Sequence, residues 1–131
     1  MKKDEIIRVV INDPKVRRLN IKERFICVMG GAYRECEQDF ARLEGLTWPN
    51  GHGILISKSK QQIENSFASA IAEQIPETPY FFEVGHSKKD LKRLAEMVFV
   101  LLGYSPGLRN EVKRFLEPPT RNDLMLRLDE L

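Results

Sequence analysis

The sequence predicts an α+β fold that is mainly α, with about six helices packed around a small antiparallel sheet of two or three short strands. Apolar residues recur at spacings of three and four over most of the chain, as in helices with one buried face. Three short runs rich in β-branched and aromatic residues, bounded by Pro and Gly, are typical of strands. With 131 residues, 42% of them hydrophobic and 31% charged, the chain is long enough for one core. We therefore expect a single globular domain spanning 1–131.

The first third of the chain predicts three helical segments. Residues 4–12 suit a first helix, which ends before Pro14 because a residue preceding proline disfavours helical backbone angles. A short helical turn over 15–19 follows. Asn20 is the expected N-cap of the longest helix, about 21–44, and the glutamate three residues later completes a capping box.

Two adjacent glycines, Gly30 and Gly31, interrupt this longest predicted helix. Together they cost about 2 kcal/mol of helix propensity relative to alanine. The helix either bends there, packs closely against another backbone, or contacts a bound phosphate, and the sequence leaves these three explanations open. Its apolar stripe consists of Ile21, Phe25, Val28, Ala32, Cys36, Phe40 and Leu43.

The stretch GLTWPNGHGILI predicts a hairpin. Residues 46–48 and 54–56 are its two β-prone runs, and the Pro, Asn and Gly residues between them have strong turn chemistry. Trp48 is then a core or edge aromatic, whereas Asn50 and His52 belong to the exposed tip. We expect this tip to be a place where a partner makes contact.

The remaining chain predicts four helices and one strand. These elements are a helix over 59–75 ended by Pro76, a strand over 79–85, a helix over 88–103, a helix that begins at Pro106 and is broken by Pro118-Pro119, and a last helix that begins at Thr120 and has Leu124, Leu128 and Leu131 on one face. Residues 97–102 are apolar on all sides, so we expect them at the centre of the core.

Charge is divided along the chain although its sum is small. The net charge of +2 is the difference between 21 basic and 19 acidic residues, which by itself implies no nucleic-acid partner. Residues 2–24 contain eight basic and four acidic residues, whereas residues 35–45 contain four acidic residues and one basic residue. Arg17 and Arg18 lie in the basic part. This polarity favours contact with phosphates, with a protein of complementary charge or with a second copy of the chain, and a solvated surface is the alternative.

Targeting signals and disulfides are not expected. Residues 6–11 are too short an apolar run for a signal peptide, and residues 97–103 are too short to cross a membrane. We therefore expect a cytoplasmic protein without a membrane partner. Cys27 and Cys36 are nine residues apart, on nearly opposite faces of the same predicted helix, so we expect two free thiols.

No catalytic, cofactor or metal motif is present. The candidate soft metal ligands Cys27, Cys36, His52 and His86 show none of the paired spacings of zinc sites. We assign no catalytic residue, no cofactor and no metal. A small enzyme whose site is assembled only on folding remains an alternative, and it would place His52 or His86 beside a carboxylate or thiol in a pocket.

The C-terminal region offers a helix-turn-helix hypothesis. Gly103 suits the turn, and the following helix carries four side chains suited to base edges and phosphates: Arg109, Asn110, Lys113 and Arg114. Two features oppose it. Arg109 falls at a position that usually points inward, and Glu111 and Glu117 add negative charge. An ordinary helical corner is the alternative.

These observations favour a small non-enzymatic interaction or regulatory protein that binds another macromolecule, of the inhibitor, immunity or accessory-factor type. Its partner is expected to be a protein or a second copy of the chain, contacted through Arg17, Arg18, Trp48, Asn50 and His52. The alternative is a DNA- or RNA-binding regulator that uses Arg109, Asn110, Lys113 and Arg114.

Overall fold

The computed structural model of this protein describes residues 4–49, 51 and 53–117. It confirms the predicted fold class, since 56% of the described residues are helical and 7% are in strands. The helices are α1 (Glu5–Asn12), α2 (Pro14–Arg17), α3 (Ile21–Glu35), α4 (Lys60–Ser66), α5 (Lys88–Leu101) and α6 (Pro106–Phe115); the strands are β1 (Ile56–Ser57), β2 (Ala72–Gln74) and β3 (Phe81–Glu83). The last predicted helix, from Thr120, lies outside the described residues.

Side-chain caps fix where the helices begin. The Asn20 side chain accepts a hydrogen bond from the Glu23 N–H (2.8 Å) and donates one to the Glu23 carboxylate (2.7 Å), so the predicted capping box forms. Serine hydroxyls cap α4, α5 and α6 in the same way. Such a cap stabilises a helix by about 1 kcal/mol relative to alanine.

The predicted helix over 21–44 is wrong in its second half. α3 ends at Glu35, and after a turn the chain forms a short 3-10 helix over Asp39–Leu43. Phe40 and Leu43 are nevertheless buried, so the apolar spacing continues although the helix does not. Gly31 lies inside a continuous α3. A Cβ there would lie 3.1 Å from the Ile7 side chain, which shows that α1 packs closely against α3 through side chains.

The predicted hairpin is also wrong. Residues 46–48 form no strand, and only Ile56–Ser57 of the second run does. The two limbs are joined by hydrogen bonds from the Gly45 N–H to the Ile56 carbonyl and from the Leu55 N–H to the Leu46 carbonyl, both 2.7 Å. β1 pairs with β3 instead, because Phe82 of β3 lies at the centre of the core.

The predicted helix over 59–75 ends early. α4 stops at Ser66, Phe67 has extended backbone angles, and the chain continues into β2. Phe67 and Ile71, expected on the buried face of that helix, are 54% and 56% exposed. The predicted strand over 79–85 is present in shortened form as β3.

The sheet has the order β1-β3-β2, with both pairs antiparallel. β3 is therefore its central strand. The Phe82 ring makes an edge contact with Phe25 of α3 (5.8 Å between centroids) and a tilted contact with Phe40 (6.2 Å). These aromatic contacts join α3 and the 3-10 helix to one face of the sheet.

The predicted pair of C-terminal helices is present as α5 and α6. Gly103, with φ of 80°, ends α5, and Pro106 stands at the start of α6. The expectation that residues 97–102 are buried all round is wrong, because Val100 and Leu101 are exposed.

Within the described ranges no helix combines the length and apolar character needed to cross a bilayer.

Candidate functional site

A cleft of about 200 Å³ opens where three chain segments meet. They are the loop before β1, the connection between α4 and β2, and the chain that leaves β3. The cleft is lined by Trp48, Gly53, Ile54, Leu55, Phe67, Ser69, Glu83, Gly85 and His86. Its walls are mostly apolar, whereas Glu83, His86 and Ser69 supply polar atoms.

Trp48 is held between two cationic or polar side chains. The edge of the His86 imidazole meets the indole at a centroid distance of 5.5 Å and an interplanar angle of 76°. The Arg93 guanidinium carbon lies 5.1 Å from the indole ring centroid. A cation placed in this way over an aromatic face is attracted by about 0.5–1 kcal/mol at an exposed site. Arg93 also lies 3.6 Å from the Asp90 carboxylate, which orients it.

Glu83 is a buried carboxylate that ties two walls of the cleft together. Its Oε1 accepts hydrogen bonds from the N–H groups of Ile71 and Gly85, both 2.9 Å. Its Oε2 lies 3.1 Å from the Gly85 N–H and 3.4 Å from His86 Nε2. A buried charge is tolerated only when hydrogen bonds of this kind satisfy it. Glu83 therefore fixes the backbone on both sides of β3.

His86 is mostly buried, with a side chain that is 15% exposed. Its Nε2 is buried and forms no hydrogen bond of acceptable geometry in the described part of the chain. His86 thus meets the geometric condition set for a small enzyme, a histidine beside a carboxylate in a pocket. However, backbone N–H groups already engage both Glu83 oxygens, so the pair does not show the arrangement of a base activating a nucleophile.

Two glycines allow the chain segments that line the cleft to approach each other closely. Gly53 has φ of 73°, and a Cβ there would lie 3.3 Å from Cβ of Phe67. A Cβ on Gly85 would lie 2.8 Å from Glu83 Oε1 and 3.2 Å from the Ile71 side chain. A side chain at position 85 would therefore force the Glu83 carboxylate or the Ile71 side chain to shift.

The rim beside Trp48 is basic. Residues 86–93, which lead into and form the first turns of α5, contain Lys88, Lys89, Lys92 and Arg93 against the single acidic residue Asp90. Lys88 and Lys89 are exposed. Lys92 instead donates to the Glu117 carboxylate (3.0 Å). The two exposed lysines and Arg93 hence give this rim positive charge that the net charge of the whole chain conceals.

Of the residues predicted to contact a partner, Trp48 lies in this cleft. Asn50 and His52 lie outside the described residues. Arg17 and Arg18 are at the end of α2, where the Arg17 Nε donates to the Ile11 carbonyl (2.9 Å). That Arg17 and Arg18 contact a partner remains a prediction.

Arg24, which the sequence grouped with the basic surface, is buried. Its guanidinium donates to the carbonyls of Leu19 (3.0 Å), Phe115 (2.9 Å) and Arg17. Its role is therefore to join the start of α3 to the end of α6, and it adds no charge to the exposed surface.

The four residues of the helix-turn-helix hypothesis all lie on α6 and differ in exposure. Asn110 and Arg114 are exposed, Arg109 is half-buried, and Lys113 donates to the Glu96 carboxylate (3.3 Å). The pairs Lys92–Glu117 and Glu96–Lys113 run in opposite directions along the two helices, so α6 returns alongside α5. Nothing in the structure tests these four residues as nucleic-acid ligands, and they remain a prediction.

Most of the cleft could not be located from the sequence. His86 was expected only as a metal ligand or an enzyme residue, and Phe67, Glu83, Gly85 and Arg93 were not expected to be site residues. Trp48 and Arg93 are 45 positions apart in a chain of 131, and no local spacing signals their contact. Among residues 4–49, 51 and 53–117, no group of three or more His, Cys, Asp or Glu side chains is placed to hold a metal ion.

The sequence matches no protein-family model and no curated protein. The fold is similar to that of SeqA from V. cholerae, known from a crystal structure, with a TM-score of 0.76 and 17% sequence identity over 86% of this chain and 96% of that chain. At this identity the likeness concerns the fold.

Proposed function

We propose that this chain is a regulatory protein that binds nucleic acid, and that the Trp48 cleft with its basic rim is the contact surface. The observation that carries this proposal is the half-buried Trp48 with Arg93 over its ring, beside a cleft, while Lys88 and Lys89 are exposed in the first turn of the helix that carries Arg93.

Nucleic acids present two features that this surface complements. Their bases stack on aromatic side chains, and each such contact is worth about 1–3 kcal/mol. Their phosphates attract Lys and Arg, whose binding releases counterions. Trp48 and the basic rim lie side by side, so one strand can meet both.

The likeness to SeqA supports a regulatory protein that binds a macromolecule, with DNA or a second copy of the chain as the partner. It supports the nucleic-acid hypothesis more than the protein-partner hypothesis. The surface proposed here differs from the one in the sequence-based hypothesis. Arg109, Asn110, Lys113 and Arg114 become a second surface to test, since α6 already uses Lys113 to hold α5.

A matched pair of arginine variants tests the proposal. Arg93 and Arg42 each lie close to an aspartate three residues earlier in the chain, at 3.6 and 3.3 Å, and both are exposed, but only Arg93 lies over Trp48. Arg93→Gln should weaken binding of a labelled oligonucleotide and reduce its salt dependence by about one phosphate contact, whereas Arg42→Gln should leave both unchanged. Fluorescence anisotropy measures both quantities. Equal effects of the two variants would refute this location.

The variant Asn110→Ala/Arg114→Ala tests the surface on α6 in the same assay. If only this double variant weakens binding, the contact surface lies on α6 and the Trp48 cleft has another role. Because both residues are exposed, neither substitution is expected to unfold the chain.

A protein partner or self-association is the second candidate function, and one observation favours it. Val9 of α1 is 70% exposed and lines a groove of about 390 Å³ between α1, α3 and the turn after β2. Val16 lines the same groove and directly precedes Arg17 and Arg18. Val9→Glu should then dissociate an oligomer detected by light scattering; a monomeric wild-type chain would contradict self-association.

A further inference from the structure

We propose that the Trp48 cleft holds a single nucleobase that is separated from its neighbours in the strand. This inference rests on the proposed function and specifies which part of the nucleic acid enters the cleft. It arises from three observations: the size of the cleft, its two aromatic walls and its polar floor.

The cleft is small. Its volume of about 200 Å³ lies below the roughly 300–1,000 Å³ of pockets that enclose drug-sized ligands. One planar heterocycle fits such a volume, whereas two stacked bases do not. A base that enters must therefore leave the stack of its own strand.

The walls carry two aromatic side chains that have exposed surface. Trp48 is half-buried, and Phe67 is 54% exposed although it lines the cleft. Phe67 does not pack into the core; its Cβ lies against Gly53, which can approach it closely because glycine has no Cβ. A base between these walls would cover apolar surface that water now meets.

The floor carries polar groups suited to the edge of a base. Buried polar atoms are nearly always hydrogen-bonded, yet the buried His86 Nε2 forms no hydrogen bond of acceptable geometry in the described residues. It lies 3.4 Å from a Glu83 oxygen, and the Glu83 carboxylate can accept a further hydrogen bond. The edge of a nucleobase presents a donor next to an acceptor, so it matches both groups once the buried His86 Nε2 turns toward the cleft.

If the cleft holds a single base, the chain should prefer single-stranded to double-stranded nucleic acid. A base inside a duplex exposes only its groove edges and would have to be unpaired and unstacked, at a cost of a few kcal/mol. A single strand avoids the cost of unpairing. Single-stranded oligonucleotides should therefore bind more tightly than duplexes of the same sequence, by about tenfold or more.

Trp48 is the only tryptophan of the chain, so its fluorescence reports on the cleft alone. We would titrate the wild-type chain with a single-stranded oligonucleotide and follow tryptophan emission and oligonucleotide anisotropy together. Stacking of a base on Trp48 should quench the emission in proportion to the fraction bound. Phe67→Ala should raise Kd by about tenfold, whereas Leu101→Ala, which truncates an exposed apolar residue at the far end of α5, should not change it.

A second variant covers the case in which Phe67→Ala does not fold. Ser69 is exposed and lines the cleft, so Ser69→Phe should fill the cleft and abolish the quenching. Binding that occurs without quenching, and that Phe67→Ala or Ser69→Phe leaves unchanged, would overturn the base-binding cleft while the proposed function stands. The absence of binding to any single strand or duplex would overturn both.

Discussion

At the scale of single residues, Glu83 and Gly85 hold the candidate site in shape. The Glu83 carboxylate accepts N–H donors from Ile71 before β2 and from Gly85 after β3. Because these two donors come from different segments, one side chain sets the width of the cleft. Gly85 can lie so close to Glu83 only because it has no Cβ.

Gly85→Ala should therefore destabilise the chain. Its new Cβ would lie 2.8 Å from Glu83 Oε1 and 3.2 Å from Ile71, and such overpacking costs about 1–3 kcal/mol. Gly107→Ala is the control, since nothing lies within 4 Å of its Cβ position and alanine favours the helix there. Urea unfolding measures both. Equal free energies of unfolding for Gly85→Ala and wild type would contradict this account of the cleft.

The Tyr104 hydroxyl connects the segment after α5 to the end of α3 by hydrogen bonds. Its hydroxyl donates to Glu35 Oε1 (2.7 Å) and accepts from the Cys36 thiol (3.3 Å), while Glu35 Oε2 accepts the Ile6 N–H (2.6 Å). Burial, with the hydrogen bonds to Cys36 and Glu35, raises the pKa of Tyr104 above its ordinary value, so the hydroxyl remains a donor at neutral pH.

Tyr104→Phe removes this donor and should lower the free energy of unfolding by about 1–3 kcal/mol, because a buried partner loses its hydrogen bond. Tyr33→Phe is the matched control, since the Tyr33 hydroxyl only reaches an exposed carboxylate at 3.3 Å. We expect that control to stay within about 0.5 kcal/mol of wild type. A larger loss for Tyr33→Phe than for Tyr104→Phe would refute the assignment.

Cys27 gives a pH-dependent prediction. Burial, then the nearby charges of Glu23 and Asp13, raise the pKa of its thiol. The folded chain thus holds this proton more tightly than the unfolded chain, so the resulting stability is present below about pH 8.5 and is lost as the pH rises through the folded pKa. Iodoacetamide should alkylate Cys27 more slowly in the folded chain than in urea at pH 8.5, as peptide mass spectrometry would show. Equal rates would contradict the raised pKa.

At the scale of elements, Arg24 joins helices that are far apart in sequence. Its guanidinium donates to carbonyls of Arg17 and Leu19, which precede α3, and to that of Phe115, the last residue of α6. It also lies over the Phe115 ring, with its guanidinium carbon 5.3 Å from the ring centroid. One buried cation therefore joins both ends of the described chain.

Arg24→Met should reduce the free energy of unfolding by about 3 kcal/mol or more, since three backbone carbonyls, one of them in a buried hydrogen bond, lose a charged donor. Arg34→Met, on the exposed side of the same helix, is the control and should have a small effect. Thermal unfolding followed by circular dichroism distinguishes them. An Arg24→Met chain as stable as wild type would show that these contacts contribute little.

Helix starts were predictable from the sequence, because a cap involves residues only three positions apart. Asn20 caps α3 as expected, and Ser87 and Ser105 cap α5 and α6 directly before the predicted helix starts at residues 88 and 106. Two helix ends were not, because α3 and α4 stop well before the predicted residues 44 and 75. Phe40 and Leu43 keep the apolar spacing of a helix while lying in a 3-10 turn, and residues 67–75 do so while forming a loop and β2. Pairing with β3 decides the conformation of this second segment, and spacing along the chain carries no information about that partner.

At the scale of the whole molecule, the fold brings a loop aromatic, the end of a central strand and the start of a helix to one cleft. Trp48 is the single tryptophan of the sequence, but the sequence could not show that His86 and Arg93 contact it. The antiparallel pairing of β1 with β3 places Leu55, whose carbonyl accepts the Glu83 N–H, and Trp48 beside residues 83–86. The site thus depends on a strand pairing that differs from the predicted hairpin.

The most direct test of the central claim is the affinity of the purified chain, freed of co-purified nucleic acid, for a labelled single-stranded oligonucleotide as salt is raised. If Lys88, Lys89 and Arg93 each contact a phosphate, log K should fall with log salt at a slope of about −2. Kd should then rise roughly 16-fold between about 50 and 200 mM salt. No binding at low salt, or binding that does not change with salt, would contradict the claim that this surface binds nucleic acid.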